Sequence, residues 1–280
     1  MKEVLIKEYN NLKNLRIKPK KDDFLYNIHF VEGAFCEIRG AEDTEFRIEF
    51  IDSKTNKFLH HHNINNNMWT RTNSKYFIDY LLKIKDRKTN KLIHEYKYNA
   101  KGKRVMICFD SKAIGDTLAW FPYVEEFRKK HQCEVIVSTF HNEWFKGNYP
   151  DLEFIEPGGT AYNLYARYDI GWYYDKANYH IDNTVDLSKT PTDFRKGPLG
   201  KTCSDVLGLD FKEIKPKLTF KNTGSTIEGD YVVIAPHGSA HAKYWNREGG
   251  WQDVIDHLNN IGYKVVMITQ EPLGDEWHDS

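Results

Sequence analysis

An apolar run, Val105 to Phe109, is preceded by Arg104 and followed by a short polar loop that closes on Ile114-Gly115-Asp116. No other stretch narrows the fold as much. A run of this length, bounded in this way, reads as a buried parallel strand whose carboxyl end opens into a loop. In open α/β sheets, ligands sit outside the carboxyl ends of the strands, where such loops gather. Asp116 therefore stands where chemistry is commonly done. Gly115 lets the backbone turn sharply there and leaves room for a substrate to approach.

The same grammar continues towards the C-terminus. Pro122 suits the first turn of a helix and not its interior. The helix after the loop is therefore expected from Pro122 to Lys130, with Val124 and Phe127 inward. Strands are expected at Glu134 to Ser138, around Leu152 to Ile155, and at Asp169 to Tyr174. Asn178 to Arg195 has few apolar residues and reads as a long surface loop; a helix from Lys201 to Leu207 is stopped by Gly208. After Thr223-Gly224-Ser225 the pattern restarts with strand Tyr231 to Ala235, a polar loop, helix Trp251 to Asn260, Gly262 and strand Lys264 to Thr269. This is one β-loop-α-β unit, the opening of a second doubly wound domain that looks unfinished.

Before residue 100 the period is two. Phe46, Ile48 and Phe50 alternate with Arg47 and Glu49, and Tyr80, Leu82 and Ile84 repeat the pattern. Asp52 to Lys57 and Asp86 to Lys91 share Asp, Lys, Thr, Asn and Lys in register, each between apolar runs, as hairpin loops do. The expected class is α/β. A solvated arm covers 1–22, a small all-β sandwich-like module 23–99, a doubly wound domain 100–222 and a partial second one 223–280.

Lysine and arginine together number 40, as do aspartate and glutamate, so there is no electrostatic case for nucleic-acid binding. No apolar run approaches the roughly 20 residues of a membrane span. The N-terminus has no apolar signal-peptide core, and the chain reads as cytoplasmic. Cys36, Cys108, Cys133 and Cys203 are dispersed and read as reduced thiols. His60-His61-His62 puts two rings on one strand face, and no nearby Cys, Asp or Glu completes a ligand set. No metal is expected.

Candidate chemistry gathers if the two α/β units face each other. Asp116 follows the first strand of one unit. His237, Gly238, Ser239 and Lys243 lie in the loop after the first strand of the other. That loop leads into a helix near Trp251 whose free N–H groups favour a phosphate, and Lys243 adds a point charge. Such a cleft suits group transfer from a nucleotide-activated donor. The carboxylate takes a proton from an attacking hydroxyl, and the cationic wall stabilises the departing diphosphate. Lys112, Trp245 and Glu271 complete the candidate cleft. Each residue also has a plainer reading: Asp116 as a helix cap, Lys243 as a solvated lysine, Trp245 and Trp251 as core anchors. No Gly-x-Gly-x-x-Gly, P-loop or Gly-x-Ser-x-Gly pattern occurs, so oxidoreductase, P-loop and serine hydrolase readings have no motif behind them.

The run Ser111-Lys112-Ala113-Ile114-Gly115-Asp116-Thr117-Leu118-Ala119-Trp120-Phe121-Pro122 resembles the Gly-Asp…Pro motif of the ADP-heptose:lipopolysaccharide heptosyltransferases, glycosyltransferase family 9. It is closer still to the bacterial autotransporter O-heptosyltransferases. The resemblance extends through Tyr123 to Phe127, Pro198-Leu199-Gly200, Ser204 to Leu209, His241 to Asn246 and Gly250-Trp251, within roughly residues 24 to 280. It implies a GT-B fold of two Rossmann-like domains and an inverting, metal-independent transfer. It further implies Asp116 as general base, Lys243 on the donor phosphates and ADP-heptose as co-substrate, with no other cofactor. The acceptors implied are lipopolysaccharide core sugars or protein Ser/Thr hydroxyls. Family members continue with more of the donor domain, and the autotransporter branch adds an iron-binding Cys element; neither is found in this sequence. The chain is therefore expected to be a truncated glycosyltransferase, with a truncated, non-catalytic glycan- or partner-binding protein as the alternative. An unfinished sheet would gain from a partner, which leaves room for a homo-oligomer.

Overall fold

The computed structural model describes residues 24–40, 43–175, 184–220, 224, 227–238, 243–245 and 247–269. The arm expected over 1–22 and part of the loop expected over 178–195 lie outside the described residues.

The period-two segment is strand throughout: β1 (Phe24–Val31), β2 (Phe35–Gly40), β3 (Glu45–Asp52), β4 (Lys57–Asn65), β5 (Met68–Arg71), β6 (Tyr80–Asp86) and β7 (Leu92–Lys97). Alternation divides β3 and β6 between two faces. Phe46, Ile48 and Phe50 oppose Asp86, Ile84 and Leu82 and are fully buried, whereas Glu49 on the other face pairs with Lys85 at 2.8 Å. Both expected hairpin loops are present. Asp52 and Asp86 accept the amides of Lys54 and Thr89, and Asn56 and Asn90 take the left-handed conformation that lets each loop close.

Next come β8 (Arg104–Phe109), α1 (Ile114–His131), β9 (Glu134–Ser138), β10 (Leu152–Phe154), β11 (Leu164–Ile170) and α2 (Leu199–Val206). Strands β8 to β11 pair in parallel. Two expectations shift. Helix α1 begins at Ile114, about two turns before Pro122, which sits in its interior. A helical proline costs roughly 3 kcal/mol. The longer helix fully buries Trp120, Phe121, Val124 and Phe127, each contributing about 1.5–3 kcal/mol. The burial wins. The strand expected at Asp169 to Tyr174 lies instead at Leu164–Ile170. Its charged residues, Arg167 and Asp169, neutralise each other at 2.8 Å and so are accommodated in the sheet.

The boundary expected at 99/100 does not fall between compact units. Strand β1 pairs in parallel with β11 through Phe30↔Ala166 and Val31↔Arg167. β1, β2 and β5 thereby extend the parallel sheet, in the order β10-β9-β8-β11-β1-β2-β5. A second sheet, β4-β3-β6-β7, packs on it: Phe24 meets Phe46 edge-on at 5.0 Å and Phe30 stacks near Tyr80 at 5.8 Å. One continuous core joins both sheets and α1. The chain divides into Met1–Phe220 and Lys221–Ser280.

In the second unit β12 (Tyr231–Ile234) and β13 (Lys264–Met267) pair in parallel, with α3 (Gly250–Asn260) between them in the chain. This is the expected β-loop-α-β unit. Parallel strands are normally covered on both faces, yet Tyr231 and Val233 are exposed and Ile234 alone of β12 is buried.

Candidate functional site

From β8 the chain steps outward through β9 to β10 and then returns to lay β11 on the other side of β8. Such a reversal leaves a crevice at the carboxyl ends of the two strands. Residues 110–113 leave β8 at that point and lead into α1.

Asp116 is the third residue of α1. The N-cap is Ala113, which makes no side-chain cap bond, so the reading of Asp116 as a helix cap fails. Its carboxylate has other partners. Ser111 Oγ donates to Oδ2 at 2.6 Å and Trp172 Nε1 donates to the same oxygen at 2.7 Å. Ser111 Oγ accepts the Ala113 N–H at 3.1 Å, which leaves its own proton for Asp116. The residue is 8 % exposed, and among the described residues no hydrogen bond reaches Oδ1. The two donors and the positive end of α1 replace part of the water that burial takes from this side chain.

The donors are themselves held. Trp172 follows β11, with Trp120 at 5.3 Å and Phe194 at 5.0 Å between ring centroids. Trp120 Nε1 donates to the Leu199 carbonyl at 2.9 Å. At Gly171 a Cβ would come within 3.1 Å of the Asp110 Cβ and 2.9 Å of the Tyr173 ring. Only glycine lets these two close, and the Tyr173 hydroxyl donates to Asp110. Desolvation, with the Asp110 carboxylate adding to it, pushes the Tyr173 hydroxyl well up, so it keeps the proton it donates.

Gly115 lies within the helix and has no positive φ, so the sharp turn expected of it is absent. A Cβ there would meet nothing within 4 Å, which leaves open space beside Asp116. Lys112 is exposed. Its carbonyl accepts from His141 Nε2 at 3.0 Å, and its Nζ lies 5.2 Å from the Phe140 ring centroid.

In the second unit His237 and Gly238 are exposed after β12, and His237 stacks on Tyr244 at 5.7 Å. Lys243 is exposed. Trp245 is edge-on to Trp251 at 5.2 Å and remains partly open to solvent. Helix α3 starts behind Gly249, and Arg247 pairs with Asp253 of its first turn at 2.9 Å. The expected phosphate site thus has a carboxylate close by that the sequence argument left out. Ser239 and Glu271 lie outside the described residues. Lys112, Gly115 and Asp116 belong to the first unit, and His237, Gly238, Lys243 and Trp245 to the second.

Ser111 was legible only as part of a motif, and Trp172 had no role. Its position two residues beyond a strand neighbouring β8 is the signal that points to it. Among the described residues no group of three or more His, Cys, Asp or Glu gathers to hold a metal ion. His60 stacks on Phe50 at 4.9 Å, and His62 bonds Thr70. Nor is any described helix long and apolar enough to cross a membrane.

No protein-family model matches the chain. It is 28 % identical over 253 residues to the autotransporter heptosyltransferase BAHTCr of Citrobacter rodentium, covering 89 % of this chain and 58 % of that protein. It is 30 % identical over 206 residues to the autotransporter heptosyltransferase TibC of Escherichia coli, covering 72 % of this chain and 48 % of TibC. A relative from Burkholderia thailandensis, BimC, is 25 % identical over 230 residues, covers 81 % of this chain against 52 % of its own, and is named an inactive autotransporter heptosyltransferase. The chain spans about half the length of the curated relatives it matches. The crystal structure of TibC, described as an iron-containing dodecameric glycosyltransferase, superposes with a TM-score of 0.76 at 25 % identity, over 92 % of this chain and 65 % of that one. A second TibC structure holds ADP-D-β-D-heptose. The homologues of this chain are autotransporter heptosyltransferases, and its described residues offer no donor set for the iron of TibC.

Proposed function

We propose that this chain is the acceptor side, with the opening of the donor side, of a glycosyltransferase. It moves a sugar, heptose or hexose, from a nucleotide-diphosphate donor to a hydroxyl of a protein or glycan. The relatives' action on autotransporters favours a protein hydroxyl, and the ligand of TibC favours ADP-heptose. The observation that carries the reading is the Asp116 carboxylate, held on one oxygen by Ser111 and Trp172 and open on the other.

In the proposed reaction Oδ1 of Asp116 takes the proton of the acceptor hydroxyl as the hydroxyl oxygen bonds to the anomeric carbon. The bond from that carbon to the diphosphate breaks, its electron pair leaves with the diphosphate, and the configuration inverts. Lys243, with His237, Gly238 and Ser239, meets the charge that grows on the leaving group. Trp245 and Glu271 belong to the donor side of this two-lobed GT-B reading, Lys112 and Gly115 to the acceptor side. The reading uses no metal, and it includes a homo-oligomer, as TibC forms. Four buried free thiols fit work in a reducing compartment, the cytoplasm.

A second reading, a non-catalytic glycan- or partner-binding protein, is favoured by one observation: the relative BimC is named inactive. Sugar transfer from ADP-heptose to an autotransporter protein separates the two. The transferase reading expects turnover that falls about 10²- to 10⁴-fold in Asp116→Ala. A chain with neither turnover nor a donor-dependent thermal shift supports the binding protein.

A further inference from the structure

Two donors from different parts of the chain meet on Asp116: Ser111 from the loop that joins β8 to α1, and Trp172 from beyond the end of β11. Each donor has a chain neighbour, and those neighbours bond to each other. Asp110 precedes Ser111, Tyr173 follows Trp172, and the Tyr173 hydroxyl donates to the Asp110 carboxylate. The two segments are thus tied twice, once through Asp116 and once beside it.

The second tie is held firmly on one side only. The Asp110 N–H donates to the Ile170 carbonyl at 2.9 Å, which sets the end of β8 against the end of β11. Gly171 allows the approach, since a Cβ there would come within 3.1 Å of the Asp110 Cβ and 3.0 Å of the Tyr173 hydroxyl. Tyr173 is backed by residues 184–190. Its carbonyl accepts the Asp186 N–H at 3.0 Å, Asp175 donates its N–H to the Thr184 carbonyl at 2.7 Å, and Tyr174 bridges to Val185. Lys189 Nζ lies 4.2 Å from the Tyr173 ring centroid. That backing segment is itself fixed, because the Lys75 N–H donates to the Ser188 carbonyl at 2.7 Å. The hydroxyl is therefore presented from a braced ring, whereas the Asp110 side chain is exposed and would otherwise turn to water.

We propose that Tyr173 is a positioning residue for Asp116. Through Asp110 it fixes Ser111, and as the chain neighbour of Trp172 it fixes the indole, so both donors stay on one carboxylate oxygen. The proposal rests on the transferase reading for naming Asp116 the base, and on the geometry for the rest. A misplacement of about 1 Å at a reacting group can cost about 10²-fold in rate, so one bond at this remove is enough to matter. If Tyr173 only filled space beside Lys189, phenylalanine would serve equally well.

Tyr173→Phe keeps the ring against Lys189 and removes only the hydroxyl. Its kcat should fall roughly tenfold, the lower end of what a hydrogen bond to a charged group is worth, with KM for the donor unchanged. Asp110→Ala should fall as far, and the double variant no further, because all three lose the same bond. Asp110→Asn retains an oxygen for the tyrosine proton and should restore turnover to within about threefold of the parent. A second readout needs no turnover: hydrogen exchange of the Trp172 indole N–H, assigned with Trp172→Phe. Tyr173→Phe should speed that exchange roughly fivefold or more, while the Trp120 indole, bonded to the Leu199 carbonyl, exchanges as before. A Tyr173→Phe chain as fast as its parent, an additive double variant, or an Asp110→Asn chain as slow as Asp110→Ala overturns the proposal. So does a Trp172 exchange rate that stays put or rises together with that of Trp120. A chain that never transfers sugar, but in which Tyr173→Phe quickens Trp172 exchange alone, keeps the tie and sinks the transferase reading.

Discussion

Trp172 Nε1 reaches the Asp116 carboxylate at 2.7 Å from a residue 56 positions away in the chain. The indole N–H and the Ser111 hydroxyl converge on one oxygen, and among the described residues no hydrogen bond reaches the other. Trp172→Phe keeps the ring between Trp120 and Phe194 and removes the donor. Hydrogen bonds to charged groups are worth about 1.5–3 kcal/mol, so turnover should fall roughly 10- to 100-fold. A variant that turns over as fast as the parent chain would show that Trp172 only packs.

Gly115→Ala should fold normally. No atom lies within 4 Å of the added methyl, and alanine is better than glycine inside a helix by about 1 kcal/mol. The thermal midpoint should stay or rise. Loss of transfer despite that would place the acceptor directly above the helix start, and full activity would remove Gly115 from the site.

Gly208→Ala should do the opposite. Gly208 sits at φ 61°, and an added Cβ would lie 2.1 Å from Phe77 Cδ1. A left-handed non-glycine residue costs about 1–3 kcal/mol before any clash. Denaturant unfolding should show at least that loss, with m unchanged.

Stability should also depend on pH through His29 and His131. Burial lowers both rings to about 4 from 6.5, with Arg71 adding to the effect on His29 and Lys130 to that on His131. Above 6.5 both folded and unfolded rings are neutral and stability is complete. Between 6.5 and 4 the unfolded chain binds the proton first, so stability falls with pH and levels off below 4. For His29, which is nearly enclosed, the loss is about 3 kcal/mol. His29→Gln should flatten that part of the urea-stability profile; an unchanged slope would contradict the burial argument.

The sequence exposed the parts of this fold that depend on neighbours in the chain. Val105 to Phe109 and Gly115-Asp116 pointed to the strand and the site, and the alternation through Phe46, Ile48 and Phe50 to the hairpins. What it hid was long-range. Nothing local tells Phe30 to pair with Ala166, so the N-terminal strands looked like a separate module. Pro122 obeyed its local preference on paper, and the burial of Trp120 and Phe121 overrode it. Arg167 and Asp169 disguised β11 because their mutual neutralisation is visible only in three dimensions. With β11 misplaced, Trp172 was read as part of a strand, and its contact with Asp116 was out of reach.

The central claim is that Asp116 acts as a base. Asp116→Asn is the most direct test, because the amide oxygen can keep the bonds from Ser111 and Trp172 while basicity is lost. Sugar transfer from ADP-heptose should drop about 10²- to 10⁴-fold, with the thermal midpoint and the donor-induced thermal shift unchanged. An asparagine variant that transfers as fast as the parent chain would contradict the account.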